Sequence, residues 1–277
     1  MNQFARLSLN QITTQGWSMR QALEGCARAE IPFVGLWRQK IDQFGLSQTL
    51  RLVRELNLQV SSLCRGGFFP TSTQTAYSTN LDDNRRAIEM AAELGTNVLV
   101  LVCGAAPDKN LPQARAVIAQ AIAELEPFAA QHHVRLGIEP LHPVFAADRS
   151  AIVTLEQAND LAMQHPPQSV GVVIDAYHVW WDPNIEREIA RAGSRIIGFH
   201  IDDWLEPMPD QYLGRGMMGD GVIDLRHLRR AVDHAGYTGA IEVEIFNQAL
   251  WDEPSEQVLK RIKQSYLDHV LEPIGAL

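Results

Sequence analysis

The sequence contains few cysteines and no long apolar run. It has three cysteines in 277 residues, Cys26, Cys64 and Cys103, and no CxxC pair. This odd, sparse set argues against a disulfide framework and against a structural zinc site. No apolar stretch approaches the roughly 18 residues of a transmembrane helix, and the first residues do not resemble a secretory signal peptide. We therefore expect a cytoplasmic protein that does not act at a membrane.

An excess of basic residues is also missing. The chain has 24 lysines and arginines against 33 acidic residues, which gives a net charge of −9. A surface of this sign repels phosphate backbones, so we do not expect nucleic acid as a partner. No GxGxxG segment follows the first apolar segment, which argues against a dinucleotide-binding sheet. Hydrophobic residues make up 46% and charged residues 21% of the chain, which is typical of a globular protein.

Eight short apolar segments alternate with amphipathic segments along the chain. They are rich in valine and isoleucine, as β-strands are, and comprise residues 5–10, 33–37, 58–64, 97–102, 134–139, 170–175, 195–200 and 240–245. Such alternation predicts a parallel sheet, and eight βα units favour a closed barrel over an open sheet. No linker divides the chain. We predict a single (β/α)₈ TIM-barrel domain over residues 1–277.

Several residues mark the ends of the predicted helices. Gly95 is a plausible C-terminal cap, and Thr154 and Gln157 have the spacing of a capping box. Asp224 is expected to begin the helix that ends near Gly236.

Two of the segments that follow strands are long, residues 65–80 and residues 201–222. Long loops at the C-terminal face of a barrel usually shape a pocket. An insertion without function is the alternative.

Four predicted strands finish on or near an ionisable residue: Glu139, Asp175, His200 and Glu244. The C-terminal ends of barrel strands converge on one mouth, where three carboxylates and an imidazole would repel or lose solvation unless a cation held them. This donor set suits one divalent ion, with Mn²⁺ expected first and Mg²⁺, Co²⁺ or Zn²⁺ as alternatives. The competing hypothesis is that each residue caps a loop or forms an ion pair separately.

The last strand offers two glutamates on the same face, Glu242 and Glu244, because side chains alternate along a strand. Glu244 is nearer the mouth, so we predict it as the metal ligand. Glu242 is expected one layer deeper, paired with Arg6 of the first strand.

Five segments in the C-terminal half carry a resemblance to a known family. They are "GIEP", "VVIDAYH", "FHIDDW", "GRGMMGDGVIDL" and "GYTGAIEVEIF". In this order they resemble the xylose-isomerase-like TIM-barrel superfamily, and within it the ketose 3-epimerases and 2-keto-myo-inositol isomerases. The resemblance implies that Glu139, Asp175, His200 and Glu244 bind the metal and that the two glutamates move the substrate proton. It also implies that Arg215 and His178 contact substrate oxygens.

The chemistry fits these residue types. Removing a proton beside a carbonyl creates an enediolate, which a divalent metal stabilises. A carboxylate on each side of the substrate can take the proton from one face and return it on the other. We therefore predict a metal-dependent isomerase or epimerase of a keto sugar or cyclitol.

Further residues are candidates for the same site. His142 is a candidate acid or base, or else a loop or supporting histidine, and His178 could alternatively orient Asp175. Asp202 is expected to fix the orientation of a ligand. Arg65 could bind a carboxylate, a phosphate or a hydroxyl, or could pair with an acidic residue.

Aromatic residues are predicted to line the mouth and stack on substrate. They are Trp37, Phe68, Phe69, Trp180, Trp181 and Trp204, with Trp181 the leading candidate for substrate contact.

Other functions remain open at this point. A lyase, either a dehydratase or the large subunit of a C-glycoside deglycosidase with a small β-rich partner, would use a similar ligand set. A non-catalytic sugar-binding protein would not need three clustered carboxylates. The AP endonuclease branch requires extra histidines where this chain has Trp37, Arg65 and Cys103. The expected partner is a small sugar or cyclitol, and a homo-oligomer is possible.

Overall fold

The computed structural model describes residues 2–271. Strands occur at β1 (Leu7–Asn10), β2 (Phe33–Trp37), β3 (Gln59–Gly67), β4 (Val98–Val102), β5 (Arg135–Glu139), β6 (Val170–Asp175), β7 (Ile196–Ile201), β8 (Asp203–Trp204), β9 (Arg215–Gly216) and β10 (Ile241–Val243).

Helices lie between and after these strands. They are α1 (Met19–Arg28), α2 (Arg38–Phe44), α3 (Leu46–Glu55), α4 (Gln74–Leu94), α5 (Leu111–Gln131), α6 (Leu155–Ala162), α7 (Ala176–Val179), α8 (Ile185–Ala192), α9 (Leu225–His234), α10 (Gln248–Trp251) and α11 (Ser255–Ser265). A π-helical turn (Tyr266–Val270) follows α11. No helix within residues 2–271 is long and apolar enough to cross a membrane.

Eight of the strands close into a barrel in the order β1-β10-β7-β6-β5-β4-β3-β2. Every neighbouring pair is parallel, so the predicted (β/α)₈ TIM barrel is confirmed. Of the predicted single domain over residues 1–277, residue 1 and residues 272–277 lie outside the described part of the chain.

The third barrel strand is longer than the sequence predicted. β3 continues through Gly67, and α4 begins at Gln74, so much of the predicted loop 65–80 is strand or helix. The Asn84 side chain accepts a hydrogen bond from Gly67 N at 2.7 Å and donates one to Gly67 O. Thr73 caps the N-terminus of α4. These hydrogen bonds stabilise the end of β3 and the start of α4, neither of which the apolar pattern of the sequence predicts.

The predicted helix caps are largely confirmed. Gly95 follows α4 in the left-handed conformation at φ +75°, and Asp224 accepts a hydrogen bond from His227 N at the start of α9. Thr154 accepts one from Gln157 N, but the Gln157 side chain accepts from Val153 N, one residue before the cap. The second hydrogen bond of the predicted capping box is therefore made by Val153 N rather than by Thr154 N.

The predicted loop 201–222 contains a small antiparallel ribbon, in which β8 pairs with β9. The buried carboxylate of Asp203 accepts hydrogen bonds from Gly219 N and Ile223 N at 2.9 and 3.0 Å. These bonds close the segment onto itself, and they fix the strand that carries Arg215.

The expected pair of Glu242 with Arg6 is wrong. Arg6 precedes β1 and donates to Asp233 at 2.7 Å, near the barrel's outer helix α9. The inward position belongs to Ser8, the register partner of Glu242. Strand alternation cannot be extended to Arg6, because it lies in a turn before the strand begins.

Glu242 instead belongs to a polar layer inside the barrel and is buried. It accepts hydrogen bonds from Asn10 Nδ2 and Ser61 Oγ, both at 2.6 Å, and from Ser62 Oγ at 3.0 Å. Gly35 leaves the space for this carboxylate, since a Cβ there would lie 2.0 Å from Glu242 Oε1.

We expect Gly35→Ala to lower the free energy of unfolding by about 1–3 kcal/mol, the usual cost of overpacking a filled interior. The added methyl group would displace Glu242 from its three hydroxyl and amide donors. Denaturant unfolding of the two proteins measures the difference.

Gly16→Ala is the matched control. A Cβ at Gly16 would find its nearest heavy atom at 3.8 Å, so we expect a change within about 0.5 kcal/mol. Equal stability of the Gly35 and Gly16 variants would mean that Glu242 moves aside without cost.

Candidate metal centre and active site

The four predicted strand-end residues converge at the mouth of the barrel. Glu139 and Asp175 end β5 and β6, His200 lies in β7, and Glu244 follows β10. One ligand atom from each lies within 4.8 Å of the others, and all four side chains are buried. The register explains the meeting, because His200 pairs with Asp175 on one side and with Glu242 on the other.

Three buried atoms in this cluster have no hydrogen-bond partner among the described residues. They are Glu139 Oε1, His200 Nδ1 and His200 Nε2. His200 Nδ1 lies 3.3 Å from Glu139 Oε1 and 3.5 Å from Glu244 Oε2. Buried polar atoms without a partner are costly, and a cation among them would use their free lone pairs. Three carboxylates and one imidazole therefore fit one divalent ion.

The charges of the cluster shift one another's pKa values. Burial, together with the charge of Glu244, raises the pKa of Glu139 to about 7, even though His200 opposes the shift. Burial alone would lower the pKa of His200, but Glu242 and the two other glutamates outweigh it, so that this pKa is raised. Burial also acts against the charged form of Asp175, yet the charge of Arg215 keeps its pKa below the usual value. The cluster thus favours positive charge in its centre.

Arg215 supplies one such charge from β9. Its buried Nη1 donates to Asp175 Oδ2 and Asp202 Oδ2, each at 2.8 Å, and lies 3.4 Å from Glu244 Oε2. Arg215 does not pair with Asp210 or Asp220 of the same loop: Asp210 accepts from Tyr212 N, and Asp220 lies 3.5 Å from Arg261.

Asp202 acts on the cluster through Arg215 rather than on a ligand directly. Its Oδ2 accepts from Arg215, and burial, with Asp175 close by, raises its pKa well above the usual value. The side chain therefore holds the guanidinium in place beside Asp175.

His178 is buried at the same place, in the short helix α7. Burial lowers its pKa to about 3, so the ring is neutral. Its Nδ1 lies 3.1 Å from the peptide N–H of His142, which can only donate. Nδ1 is therefore the acceptor of this bond, while Nε2 lies 3.2 Å from Arg215 Nη2, which also can only donate, and 3.7 Å from Asp175 Oδ2.

His142 and Trp181 lie behind this histidine and outside the cavity wall. His142 Nδ1 accepts from Val144 N, and its ring stacks on Trp204 at a centroid distance of 4.7 Å. Trp181 Nε1 donates to His178 O at 2.8 Å. The peptide N–H of His142 and the indole N–H of Trp181 thus both donate hydrogen bonds to His178.

A cavity opens above the cluster. Its space, counted out to solvent, is about 540 Å³, and its wall comprises Trp37, Cys64, Arg65, Val100, Val102, Glu139, Leu141, Phe145, Arg149, His178, Tyr212, Arg215, Glu244 and Phe246. Of the six aromatic residues predicted at the mouth, Trp37 alone is in this wall. Phe69 is buried in the core, and Trp180 packs on Trp204.

Sequence reasoning missed the other aromatic residues of the wall, Phe145, Tyr212 and Phe246. Phe246 carried a usable signal, because it follows the candidate ligand Glu244 by only two residues, just after the last predicted strand. Phe145 and Tyr212 lie in loops, where no such periodicity applies.

Asn10, at the end of β1, is a further polar residue of the site that the sequence analysis overlooked. Its Nδ2 donates to Glu244 Oε1 at 2.9 Å and to Glu242 Oε1 at 2.6 Å, while its Oδ1 accepts from Trp37 Nε1 at 2.7 Å. Asn10 thereby couples the predicted ligand Glu244 to the polar layer below. Its place at a strand end was the available signal.

Curated proteins with related sequences are enzymes. The chain is 25% identical over 272 residues to an inosose isomerase of Bacillus velezensis, which covers 94% of this chain and 95% of that protein. It is 26% identical over 216 residues to a 3-dehydroshikimate dehydratase of Pseudomonas aeruginosa, which covers 74% of this chain but 32% of that protein.

Solved structures share the whole fold. The protein SMc04130 from Sinorhizobium meliloti superposes with a TM-score of 0.95 at 42% identity, covering 97% of this chain and all of that one (100%). A structure described as the IOLI protein with a bound zinc atom has a TM-score of 0.83 at 21% identity, covering 96% of this chain and 98% of that one. A family profile described as "Xylose isomerase-like TIM barrel" matches residues 22–265. With a closed parallel barrel and a profile match over most of its length, the chain belongs to the xylose isomerase-like TIM barrel family.

Proposed function

We propose that the protein is a divalent-metal-dependent isomerase or epimerase of a keto sugar or cyclitol. One observation carries the proposal: Glu139, Asp175, His200 and Glu244 bring four buried ligand atoms within 4.8 Å of one another. Atoms of Glu139 and His200 have no hydrogen-bond partner among the described residues, and Glu139 and Glu244 line a cavity. The similarity to inosose isomerases over nearly the full chain supports the same conclusion, and the zinc in a structurally related protein supports a metal. Mn²⁺ is our first choice of ion, with Mg²⁺, Co²⁺ and Zn²⁺ as alternatives.

When bound, the ion supplies Lewis acidity to substrate oxygens. The side chains of this protein supply the proton transfer. Glu139 and Glu244 both flank His200 and both belong to the cavity wall, and a carboxylate at each position can act as an acid–base group towards substrate in the cavity. We assign proton removal and return to these two carboxylates.

Arg215 and His178 are assigned to substrate binding. Both belong to the cavity wall, and the guanidinium can stabilise negative charge that develops on substrate oxygens. A neutral imidazole at His178 carries one N–H and can donate one hydrogen bond. We do not assign proton transfer to His142, because its ring is occupied by Val144 N and Trp204.

A lyase is the second candidate, favoured by the similarity to a 3-dehydroshikimate dehydratase over 74% of this chain. Proton abstraction by the same glutamates would then be followed by loss of water or of an aglycone. Release of a dehydrated product, with no isomer formed, would identify this reaction.

We expect Glu139→Gln and His200→Ala each to weaken Mn²⁺ binding by roughly 100-fold or more, since each removes a ligand atom. Metal analysis after dialysis and calorimetric titration measure the effect. Glu93→Gln is the control, because Glu93 is an exposed glutamate of α4. Wild-type metal content in both cluster variants would remove the basis for a metal centre here.

The two neighbouring glutamates are expected to differ in proton transfer. Glu244→Gln should slow solvent deuterium exchange into inososes or keto sugars by about 10²–10⁴-fold, because a carboxamide is not a base. Glu242→Gln should cost at most roughly 10-fold, the lower range for residues that support a ligand. NMR in D₂O measures the exchange. Loss of exchange in folded Glu242→Gln, with Glu244→Gln still active, would reverse the assignment.

Arg215→Ala should destabilise the metal-free protein by about 3–5 kcal/mol, because it leaves Asp175, Asp202 and Glu244 buried without their shared cation. Added Mn²⁺ should restore part of the loss by supplying positive charge to Asp175 and Glu244. Thermal melting with and without Mn²⁺ measures both effects, and Arg215→Lys is the charge-retaining control. A metal-free Arg215→Ala protein that melts like the wild type would show that this ion pair contributes nothing.

A further inference from the structure

We propose that Arg65 and Arg149 form an anion-binding subsite in the cavity wall, and that the substrate carries a carboxylate or phosphate group which this pair binds. The inference rests on the proposed function, which it narrows from neutral sugars and cyclitols to anionic ones. Neither the four predicted metal ligands nor Arg215 belongs to this subsite.

Arg65 places a guanidinium in the cavity wall. Its Nη1 is inaccessible to solvent and has no hydrogen-bond partner, and within residues 2–271 no carboxylate forms an ion pair with it. Burial lowers the pKa of Arg65, and the nearby charge of Arg149 adds to this. Its guanidinium lies 4.2 Å from the ring centre of Phe68 and 6.0 Å from that of Trp37.

Arg149 lies in the segment after β5 and belongs to the same cavity wall. Its guanidinium lies 3.9 Å from the ring centre of Tyr212 and 5.8 Å from that of Phe145. It too has no ion pair with any carboxylate of the described chain. Both of its aromatic neighbours are in the cavity wall.

Other cations near the barrel mouth are compensated. Arg215 contacts three carboxylates, and both terminal nitrogens of Arg38 donate to Asp83 at 2.8 Å. Stacking on aromatic rings is worth about 0.5–2 kcal/mol per cation, and it supplies no hydrogen-bond acceptor. Arg65 and Arg149 thus have neither an ion-paired carboxylate nor a hydrogen-bond acceptor among the described residues. A carboxylate or phosphate would provide both, because its oxygens can accept two parallel hydrogen bonds from a guanidinium.

The position in the cavity determines which molecule brings that anion. Arg65 and Arg149 share one wall with Glu139 and Glu244, so one small molecule within this space contacts both groups. The carboxylates would repel an anion from the floor, while the arginines attract it to the mouth. A substrate with its keto group at the floor and its anionic group at the arginines satisfies both.

Matched ketoses test the inference. D-fructose, D-fructuronate and D-fructose 6-phosphate share a C2 ketone and differ at C6, which is neutral, a carboxylate or a phosphate. We expect Mn²⁺-loaded protein to bind one of the two anions at least 10-fold more tightly than D-fructose by calorimetry, and the tighter one identifies the anion. This preference should weaken as salt increases.

Arg65→Gln and Arg149→Gln should each reduce the affinity for the preferred anion at least 10-fold and change that for D-fructose less than 3-fold. The two residues lie on separate segments, so a folding defect in one variant leaves the other informative. Lys109→Gln is the control: it removes an exposed positive charge from the segment after β4 and should leave both affinities unchanged.

Equal affinity of the wild type for all three ketoses, or equal losses in Lys109→Gln, would overturn the subsite. Deuterium exchange and metal content, measured on the same samples, separate this failure from that of the proposed function. Exchange with D-fructose and no anion preference would refute the subsite alone. Anion preference with no exchange into any ketose would refute the isomerase alone.

Discussion

Repulsion among buried carboxylates is the constraint that organises the C-terminal end of this barrel. Glu139, Asp175, Asp202 and Glu244 lie side by side, almost without solvent contact. Arg215 offsets part of their charge by contacting three of them. A divalent ion bound to the unpartnered atoms of Glu139 and His200 would supply the remaining positive charge. The ribbon of β8 and β9 contributes to this charge balance, because β9 places Arg215 at the mouth of the barrel.

The floor and the mouth of the cavity carry charges of opposite sign. At the floor, acidic groups outnumber the cations that face them, which suits a metal. At the mouth, Arg65 and Arg149 stack on aromatic rings, and neither forms an ion pair with a carboxylate within residues 2–271. This polarity along the cavity would orient a ketone towards the floor and an anionic substituent towards the mouth. Arg65 and Arg149 therefore differ in role from Arg215, which forms ion pairs with three carboxylates.

Local patterns in the sequence were sufficient for the barrel and for the four residues at its centre. Alternating apolar and amphipathic segments specify strands and helices through burial, and in a parallel barrel every strand delivers its last residues to the same mouth. Glu139, Asp175, His200 and Glu244 could therefore be placed together without knowing any contact. The caps at Gly95 and Asp224 followed for the same reason, since each depends on residues within a few positions.

The tertiary structure decided the partners of those residues and the walls of the cavity. Glu242 bonds to Asn10, Ser61 and Ser62 rather than to Arg6, because strand alternation stops where the strand stops. Which aromatic rings line the cavity depended on the paths of the loops after β3, β5 and β7, and these are held by distant contacts such as the hydrogen bonds of Asp203. The sequence by itself determined the barrel and the meeting of its four candidate ligands through periodic burial. Only folding could decide that Arg215 is compensated and Arg65 is not, because that difference depends on which carboxylates distant segments bring within reach.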